Sequence, residues 1–472
     1  MKKSLFANIG VVVLLNLLVK PIWVLTENKV QDVVGHDEFG MYSALLSFGF
    51  LFITLADLGI NHYTTKTLAS EPHHLKAYFP NLLTFKIGLT LLYPFAMVGA
   101  GWLMGYEPRK LYLLGVLCLV QGGTLIMEFF RANLRAMQRF KTDGILSVFD
   151  RLFLLGLVFI LFWVGMDVER FIYARLLTVG VSFILFYALL VKLYGWMRPR
   201  FDLPVIKKLV RASLPFATMT ILYSVHDKVD QVMLERMASS SENGLYVGAY
   251  RWLDAFSMYM WTVLPIFVAR FAYFLKDLKE QSQLLRFGQV IVALPMIFVG
   301  AWGFFCGEHL LFLFGNSTET ELAAIVACMR ILFVVLAMNG IFAIFSTLLT
   351  STGHERHVNR MVAASIALNI LLNIFLIPRY GALACAWSTL ASYLLVNLSY
   401  VWYIHRKVDI QVPFLQMGKL LLSGGALFGM FYFAHSLDVH WVWISAICGS
   451  VYVGIAWTLG LIRMDMIRKF RV

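Results

Sequence analysis

Long apolar stretches recur along the whole chain, and they constrain its fold more than any other feature of the sequence. Hydrophobic residues make up 60% of the 472 residues, and charged residues make up only 14%. A soluble domain of this length could not bury that much apolar surface, so the solvent for most of the chain must be a lipid bilayer. No polar segment of domain size interrupts the stretches. The sequence therefore predicts an all-α polytopic membrane protein without a separate soluble domain.

Runs of about 20 apolar residues mark the candidate transmembrane helices. About fourteen such runs lie near residues 5–27, 39–62, 80–103, 111–130, 145–165, 171–191, 212–234, 244–269, 287–305, 323–349, 361–378, 381–404, 415–434 and 439–462. The first run follows two lysines and resembles a signal peptide, but it continues past Lys20 and Pro21 without a small-residue cleavage site. We therefore expect it to be retained as the first helix.

The basic residues are distributed asymmetrically between the loops. The net charge is +13, and of the 40 Lys and Arg residues, 26 fall in loops on the side of the N-terminus, six on the opposite side and eight within spans. The positive-inside rule then predicts that both termini are cytoplasmic. This bias explains the basic charge without a nucleic-acid partner. The opposite loops are short, which argues against a catalytic domain on that side.

The five cysteines lie within or beside apolar segments, at Cys118, Cys306, Cys328, Cys385 and Cys448. None shows CxxC or other metal-ligand spacing. We expect them to be small buried hydrophobic residues, and we expect neither a metal nor a cofactor.

An internal repeat relates the two halves of the chain. The pattern E-x-G-[ML]-Y occurs at residues 38–42 and again at 242–246, an offset of 204. An even number of predicted helices separates the two copies, so both copies have the same orientation in the membrane. This is a parallel repeat, for which a binding site is expected between the halves.

The late helices carry the most specific motif, the sequence ALNILLNIFLIPRYGA at residues 367–382. Together with Ala56-Asp-Leu-Gly59 and the segment around Gly244, it resembles the polysaccharide flippases of the multidrug/oligosaccharidyl-lipid/polysaccharide exporter superfamily. The resemblance implies two six-helix lobes, at 1–200 and 201–407, with two additional helices at 408–472. The run Leu383-Ala-Cys-Ala386 departs from the small-residue pattern usual in the superfamily.

The resemblance also implies a function. Such a protein flips an undecaprenyl-diphosphate-linked oligosaccharide from the cytoplasmic to the outer leaflet of the bacterial inner membrane, for polysaccharide or O-antigen assembly. Its partners would be membrane lipids, a polysaccharide polymerase and glycosyltransferases, and the transport unit would be a monomer. The activity is transport, so no catalytic residue is expected.

Charged residues inside spans are costly and mark candidate sites. An outer tier of five cations lies about 8–10 Å below the outer surface by helical rise, and comprises Lys20, Arg175, Lys228, Arg251 and Arg330. These are the predicted substrate-binding residues, because Arg and Lys replace the hydration of a diphosphate with charge-assisted hydrogen bonds. Arg251 and Asp254 can also pair locally on one helix.

An inner tier lies nearer the cytoplasmic side. It holds Lys86 and Arg151 at the depths of Asp57, Glu128 and Asp150. With three acids for two bases, structural pairing within the first lobe is the favoured interpretation. Lys419, about one turn from a helix end, is expected to snorkel toward the interface.

Polar and aromatic side chains supply candidate sugar contacts. The seventh predicted helix presents Thr220, Ser224, Asp227 and Gln231 at helical spacing, and the eleventh presents Asn369 and Asn373 one turn apart. For the two asparagines, hydrogen bonding between packed helices is the favoured alternative. Aromatic residues that could stack on sugars are Tyr223, Tyr250, Trp252 and Trp261.

Asp227 and Asp230 are the candidate ion-coupling residues. They lie three residues apart on one broad face of the seventh predicted helix, while Lys228 projects about 100° from Asp227. Nearby cations favour the ionised carboxylates, whereas two close carboxylates raise each other's proton affinity. A proton or sodium site and a fixed ion pair to Arg251 or Lys20 remain equal alternatives.

Two other functions agree less well with the residues. A cation-coupled multidrug exporter of the same superfamily would need buried carboxylates for cationic drugs, whereas the outer tier is net positive. A membrane glycosyltransferase or polymerase would need catalytic residues framed by a sizeable outer loop, and the outer loops are too short. The flippase is therefore the preferred interpretation.

Overall fold

A computed structural model describes residues 21–63, 72–136, 139–195, 200–275, 277–437 and 439–462, which form α-helices joined by turns, without any strand in these ranges. The first described helix, α1, covers residues 21–34. The others are α2 His36–Leu51, α3 Thr54–Asp57, α4 Ile60–Tyr63, α5 Pro72–Leu103, α6 Pro108–Ala136, α7 Phe140–Val164, α8 Val168–Tyr194, α9 Leu203–Met237, α10 Ser240–Tyr273, α11 Leu278–Cys306, α12 Glu319–Ser351, α13 Glu355–Tyr380, α14 Ala382–Lys407, α15 Phe414–His435 and α16 Trp441–Thr458. The predicted all-α class is confirmed.

Within the described residues, 11 helices are long and apolar enough to cross a membrane, namely α5 to α8 and α10 to α16. Each corresponds to one of the predicted spans, because a continuous apolar run of this length leaves little alternative to a helix. The five cysteines are all buried, as predicted. The polytopic membrane fold is thus confirmed, but the count of fourteen helices is not.

The three other predicted spans behave differently. Most of the first, 5–27, lies outside the described residues, and its described part belongs to α1. The span predicted at 212–234 lies within the 35-residue helix α9. This helix is not among those apolar enough to qualify as a span. The segment from His226 to Asp230 contributes four ionisable side chains to α9, and these lower its hydropathy.

The second predicted span, 39–62, is broken in two places. Helix α2 ends at Leu51 before a turn, and a second interruption separates α3 from α4. At that interruption Leu58 has φ 49° and Gly59 has φ 74°, a left-handed conformation that side chains other than glycine disfavour. The Ser213 hydroxyl of α9 donates to the freed Leu58 carbonyl at 2.7 Å. The break is therefore stabilised by a neighbouring helix.

Polar side chains define where several helices begin. Asp167 accepts a hydrogen bond from the backbone N–H of Arg170 at 2.7 Å and so caps α8. Thr318 and Glu321 form a reciprocal capping box at the start of α12. Each cap satisfies N–H groups that a helix cannot pair internally, which places these helix ends at polar turns.

Contacts divide the chain into two compact units, residues 1–244 and 245–472. In the first unit, α9 packs along α2 and also contacts α3, α4 and α5. The predicted lobe boundary at 200/201 would assign α9 to the second lobe, whereas its contacts group it with the first unit. The lobes of the repeat, 1–200 and 201–407, remain a prediction.

The second unit is built on the α11–α12 pair. A methyl group at Gly300 would lie 2.6 Å from the Ala337 Cβ and 2.7 Å from the Phe333 carbonyl oxygen, so the two backbones approach as closely as small residues allow. Helix α15 packs against α11 and α16. Of the predicted additional helices, 408–472, the described α15 and α16 are therefore integrated into the core of this unit, where Phe431 and Tyr452 are buried.

Candidate functional site

Arg175 of α8 lies in the first unit and is half buried. Its guanidinium group donates a hydrogen bond to the Tyr42 hydroxyl of α2 and lies 5.8 Å from the centre of the Tyr42 ring. Tyr42 is the last residue of the first copy of the repeated pattern. Lys20, predicted to belong to the same tier, lies outside the described residues.

Lys228 and Asp227 form an ion pair on α9, with the Lys228 Nζ 3.0 Å from the Asp227 Oδ2. Helical geometry separates the two Cβ directions by about 100°, but the lysine side chain is long enough to bend back to its neighbour. The Lys228 and Asp227 side chains keep 20% and 36% exposure, so the pair is accessible. Asp230 is buried, with 6% exposure. The coupling role of the two aspartates remains a prediction.

The other two predicted cations belong to the second unit. Arg251 of α10 is buried, with 7% exposure, and Asp254 is half buried. Arg330 of α12 is exposed, and its guanidinium group lies 5.9 Å from the centre of the Phe304 ring. Arg330 also lines an open pocket of about 850 Å³. The structure thus places the outer-tier cations in different surroundings, some buried and some accessible.

The inner tier confirms the predicted structural pairing for Lys86 and Asp57. Lys86 of α5 is fully buried and forms an ion pair with the Asp57 carboxylate, at the break between α3 and α4. It also donates to the Asn61 amide oxygen at 2.7 Å and lies 5.6 Å from the centre of the Phe129 ring. A buried ammonium group is stable only with such partners. Asn61 was not predicted, because nothing in the linear sequence marks it as a partner.

Glu128 takes a partner that was not predicted, Arg131. The Arg131 guanidinium contacts the Glu128 carboxylate at 3.0 Å and the Asp143 carboxylate at 2.7 Å. Asp150 accepts a hydrogen bond from the Ser182 hydroxyl at 2.8 Å. Lys86, Asp57 and Glu128 of the inner tier are therefore paired charges with a structural role.

The polar stripe of α9 serves helix packing in part. The Gln231 amide oxygen accepts hydrogen bonds from the Ser43 and Ser47 hydroxyls of α2, at 2.9 and 2.6 Å. Ser224 is also buried, with 1% exposure. Gln231 was predicted to contact sugars, but its side-chain oxygen holds α9 against α2.

The asparagines of α13 also join helices, as the favoured alternative predicted. Asn373 donates to the Asn369 side-chain oxygen at 3.2 Å, and the Ser388 hydroxyl of α14 donates to the Asn373 side-chain oxygen at 2.5 Å. All three side chains are buried. Lys419 donates to the Leu459 carbonyl near the end of α16 at 2.7 Å, so its ammonium group does reach a helix end.

The candidate stacking aromatics divide by exposure. Tyr223 and Trp261 are exposed to 59% and 73%. Tyr250 and Trp252 are buried, with 7% and 6% exposure. Only the first two present most of their side chains to a possible ligand or to lipid.

The repeated pattern supplies a close backbone contact within the first unit. A methyl group at Gly40 would overlap the Ser240 carbonyl oxygen, and one at Gly244 would overlap the His36 carbonyl oxygen. Asn243 of the second copy donates to the Gly40 carbonyl at 2.7 Å. Both glycines are therefore required where the segment His36–Gly40 meets the segment Ser240–Gly244. We call this contact the crossing; the sequence repeat alone did not reveal it.

Charged residues near this crossing form a second set of contacts that was not predicted. Arg109 of α6 contacts the carboxylates of Glu38 at 2.8 Å and Glu169 at 3.0 Å. Lys110 contacts the Glu235 carboxylate at 2.5 Å. Glu38 opens the first copy of the repeated pattern. These pairs link the starts of α2 and α8 and the end of α9 to the start of α6.

The fold is shared with solved transporter structures. One is titled "Lipid II flippase MurJ, inward closed conformation", with a TM-score of 0.70 and 13% identity, covering 93% of this chain and 97% of that one. Another is an inward-facing multidrug resistance MATE transporter of the MOP superfamily, with a TM-score of 0.65, 13% identity and coverage of 82% and 94%. A third, a MOP superfamily transporter from Pyrococcus furiosus, has a TM-score of 0.52, 14% identity and coverage of 85% and 96%. These identities show the fold alone.

No curated protein matches the chain. The sequence profile described as "Polysaccharide biosynthesis protein" matches residues 5–271. The match covers more than half of the chain and agrees with the resemblance found in its motifs. The chain therefore belongs to this polysaccharide biosynthesis protein family.

Proposed function

We propose that the protein flips an undecaprenyl-diphosphate-linked oligosaccharide from the cytoplasmic to the outer leaflet by alternating access. Membership of a polysaccharide biosynthesis family supports a role in glycan assembly. The fold, shared with a structure titled as a lipid II flippase, supports movement of a lipid-linked glycan. Its cargo would enter polysaccharide or O-antigen synthesis.

Arg175 carries this proposal. Its described hydrogen bond and ring contact are both to Tyr42, and the Glu27 and Asp150 carboxylates interact with it electrostatically without a direct ion pair. A guanidinium group inside an apolar helix, with no carboxylate in direct contact, favours an anionic ligand. A diphosphate offers several oxygens in the geometry that guanidinium binds best.

Lys228 and Asp227 supply a second element of the proposal. Their pair is partly exposed, so an incoming phosphate can compete with Asp227 for the lysine. A carboxylate released from its lysine would bind a proton or a sodium ion more readily. We also assign Asp227 and the buried Asp230 to ion coupling, and the buried Arg251 to substrate binding, because charges inside apolar helices mark functional sites.

The remaining assignments follow from the proposed activity. The protein would reside in the bacterial inner membrane with both termini cytoplasmic, act as a monomeric transport unit and receive its cargo from glycosyltransferases. A polysaccharide polymerase would use the flipped product. A transporter makes no change in the covalent structure of its cargo, so the proposal excludes an enzymatic role.

A cation-coupled drug exporter is the alternative within the same superfamily. It would need an accessible carboxylate free to bind a cationic drug, whereas Asp227 is paired with Lys228. We therefore prefer the anionic cargo.

The proposal is tested with purified protein in proteoliposomes that contain a lipid-linked oligosaccharide. Flipping is measured as the gain of glycan accessible to a membrane-impermeant oxidant, and mass spectrometry follows the mass of the lipid. We expect Arg175→Gln to slow flipping about tenfold or more, because a charge-assisted contact is lost, and Arg175→Lys to retain part of the rate.

Lys192→Gln is the matched control, since Lys192 is an exposed residue at the end of the same helix. It should flip at the wild-type rate. Wild-type activity of Arg175→Gln would refute the role of Arg175. Absence of glycan movement in the wild type, or a change in the mass of the lipid, would refute the flippase assignment itself.

A further inference from the structure

A pocket of about 850 Å³ opens in the second unit, between the end of α11, the start of α12 and the start of α16. A 3₁₀ turn, Gly307–Leu311, follows α11 and forms one wall. We call this cavity the Arg330 pocket, after the cation among its lining residues. It lies entirely in residues 302–441 and is proposed for a ligand other than the transported glycan, which gives Arg330 a role different from the substrate binding predicted from the sequence.

One end of the Arg330 pocket is cationic. Among the described residues, Arg330 contacts the Phe304 ring, and no carboxylate forms an ion pair with it. Side chains on a helix point toward its N-terminus, so the guanidinium of Arg330 extends toward the start of α12. The long side chain of an arginine can extend from an apolar helix toward the interface, where lipid phosphates lie, so the exposed guanidinium of Arg330 is available to an anionic headgroup.

Other residues that line the pocket combine aromatic rings with a carboxylate. The His309 ring stacks on Trp441, with centroids 5.2 Å apart and an interplanar angle of 21°. The centroids of the Trp302 and Trp441 rings are 6.3 Å apart. The Trp302 indole N–H donates a hydrogen bond to the Ser445 hydroxyl at 3.0 Å, and this bond fixes the orientation of the Trp302 ring. Glu308 is exposed on the same turn. Aromatic rings beside a carboxylate are a recurrent binding arrangement for an ammonium group.

Apolar side chains form the rest of the lining, from Leu310, Leu311 and Phe312 on one side and Leu322, Ala323 and Val326 on the other. Phe312 is 69% exposed. Such a surface favours an acyl chain over a free sugar, whose hydroxyl groups would find few partners. The pocket volume falls within the range of sites that hold a whole small molecule.

We propose that the Arg330 pocket binds the headgroup of a zwitterionic aminophospholipid. The phosphate contacts Arg330, the ammonium group contacts Glu308 and the aromatic wall, and the first part of an acyl chain lies along the leucines. Two opposite charges in one pocket match a zwitterion, whereas an anionic headgroup without an amine would leave Glu308 without a counter-charge.

The test uses the full-length protein in detergent, titrated with phosphatidylethanolamine, phosphatidylcholine or phosphatidylglycerol and analysed by native mass spectrometry. We expect phosphatidylethanolamine to be retained at least about fivefold better than phosphatidylglycerol. Arg330→Gln should weaken retention about tenfold. Glu308→Gln should remove the preference over phosphatidylglycerol. Arg379→Gln, at an exposed arginine of α13 outside the pocket, should leave retention unchanged.

Circular dichroism and size-exclusion chromatography establish that each variant is folded. Glu308 lies on an exposed turn, so Glu308→Gln remains informative even where Arg330→Gln does not fold. Equal retention of the three lipids by the wild type would overturn the proposal. So would unchanged retention in the folded Arg330→Gln and Glu308→Gln variants, or displacement of the lipid by a free oligosaccharide at low concentration.

Discussion

At the scale of single residues, Lys86 shows what a charge inside a membrane helix requires. The side chain is fully buried, yet it contacts the Asp57 carboxylate, the Asn61 amide oxygen and the Phe129 ring. The apolar surroundings marked Lys86 and Asp57 in the sequence as charges that need partners, but did not show that they pair with each other. Asn61 was not recognisable, since its position depends on the break between α3 and α4. Sequence thus predicts which charges need partners better than it predicts the neutral partners.

Removal of Lys86 should destabilise the protein. Lys86→Met leaves the Asp57 carboxylate buried and unpaired, which costs about 3–5 kcal/mol. The double variant Lys86→Met/Asp57→Asn should recover much of that loss, because no lone charge remains. Thermal unfolding in detergent, followed by circular dichroism, measures both effects as shifts of the midpoint.

Lys192→Met, at an exposed position of α8, serves as the control and should leave the midpoint unchanged. If the double variant were as unstable as the sum of the single variants, Lys86 and Asp57 would act independently and the ion pair would contribute nothing.

At the scale of helices, the agreement between sequence and structure depends on how continuous the apolar run is. Helices α11 to α16 follow the predicted spans because each run is long and free of breaks. The second span is broken, because Leu58 and Gly59 take left-handed conformations that hydropathy does not encode. Helix α9 was predicted in position, but its charged residues set it apart from the apolar spans.

Gly40 should be intolerant of any side chain. A methyl group at this position would overlap the Ser240 carbonyl oxygen and lie 2.6 Å from the Gly244 backbone nitrogen, so the backbones would have to separate. We expect Gly40→Ala to lower both the thermal midpoint and the flipping rate, through loss of the hydrogen bond from Asn243 to the Gly40 carbonyl.

Gly88→Ala is the matched control, because Gly88 is also helical and nothing lies within 4 Å of its added methyl group. Alanine is the better helix former, so this variant should be as stable as the wild type or slightly more stable. If Gly40→Ala had normal stability and flipping, the crossing would accommodate a methyl group and the prediction would be wrong.

At the scale of the whole molecule, the sequence predicted the class of protein and its family, because hydropathy and motifs are spread along the chain. The lobes that the resemblance implies, 1–200 and 201–407, remain a prediction, while contacts group the helices into residues 1–244 and 245–472. The difference lies in α9, whose Gln231 accepts hydrogen bonds from serines of α2. Such a packing preference arises from the partner helix and is invisible in the sequence of α9.

The charge bias also predicts the orientation in the membrane, and single cysteines test it. Gly315→Cys lies in the turn between α11 and α12, where nothing lies within 4 Å of an added Cβ, and Lys207→Cys lies at an exposed position near the start of α9. The native cysteines are all buried, and replacing them with alanine removes background reaction.

With both termini cytoplasmic, a membrane-impermeant thiol reagent should label Gly315→Cys in intact cells, and should label Lys207→Cys only after the membrane is permeabilised. Leu437→Cys, 61% exposed in its unsubstituted form and located between α15 and α16, should behave like Gly315→Cys. We expect this orientation because the loops rich in Lys and Arg stay on the cytoplasmic side of the membrane. The opposite labelling pattern would show that the predicted topology is wrong. The Arg330 pocket would then face the cytoplasmic leaflet, and its aminophospholipid ligand would have to come from that leaflet.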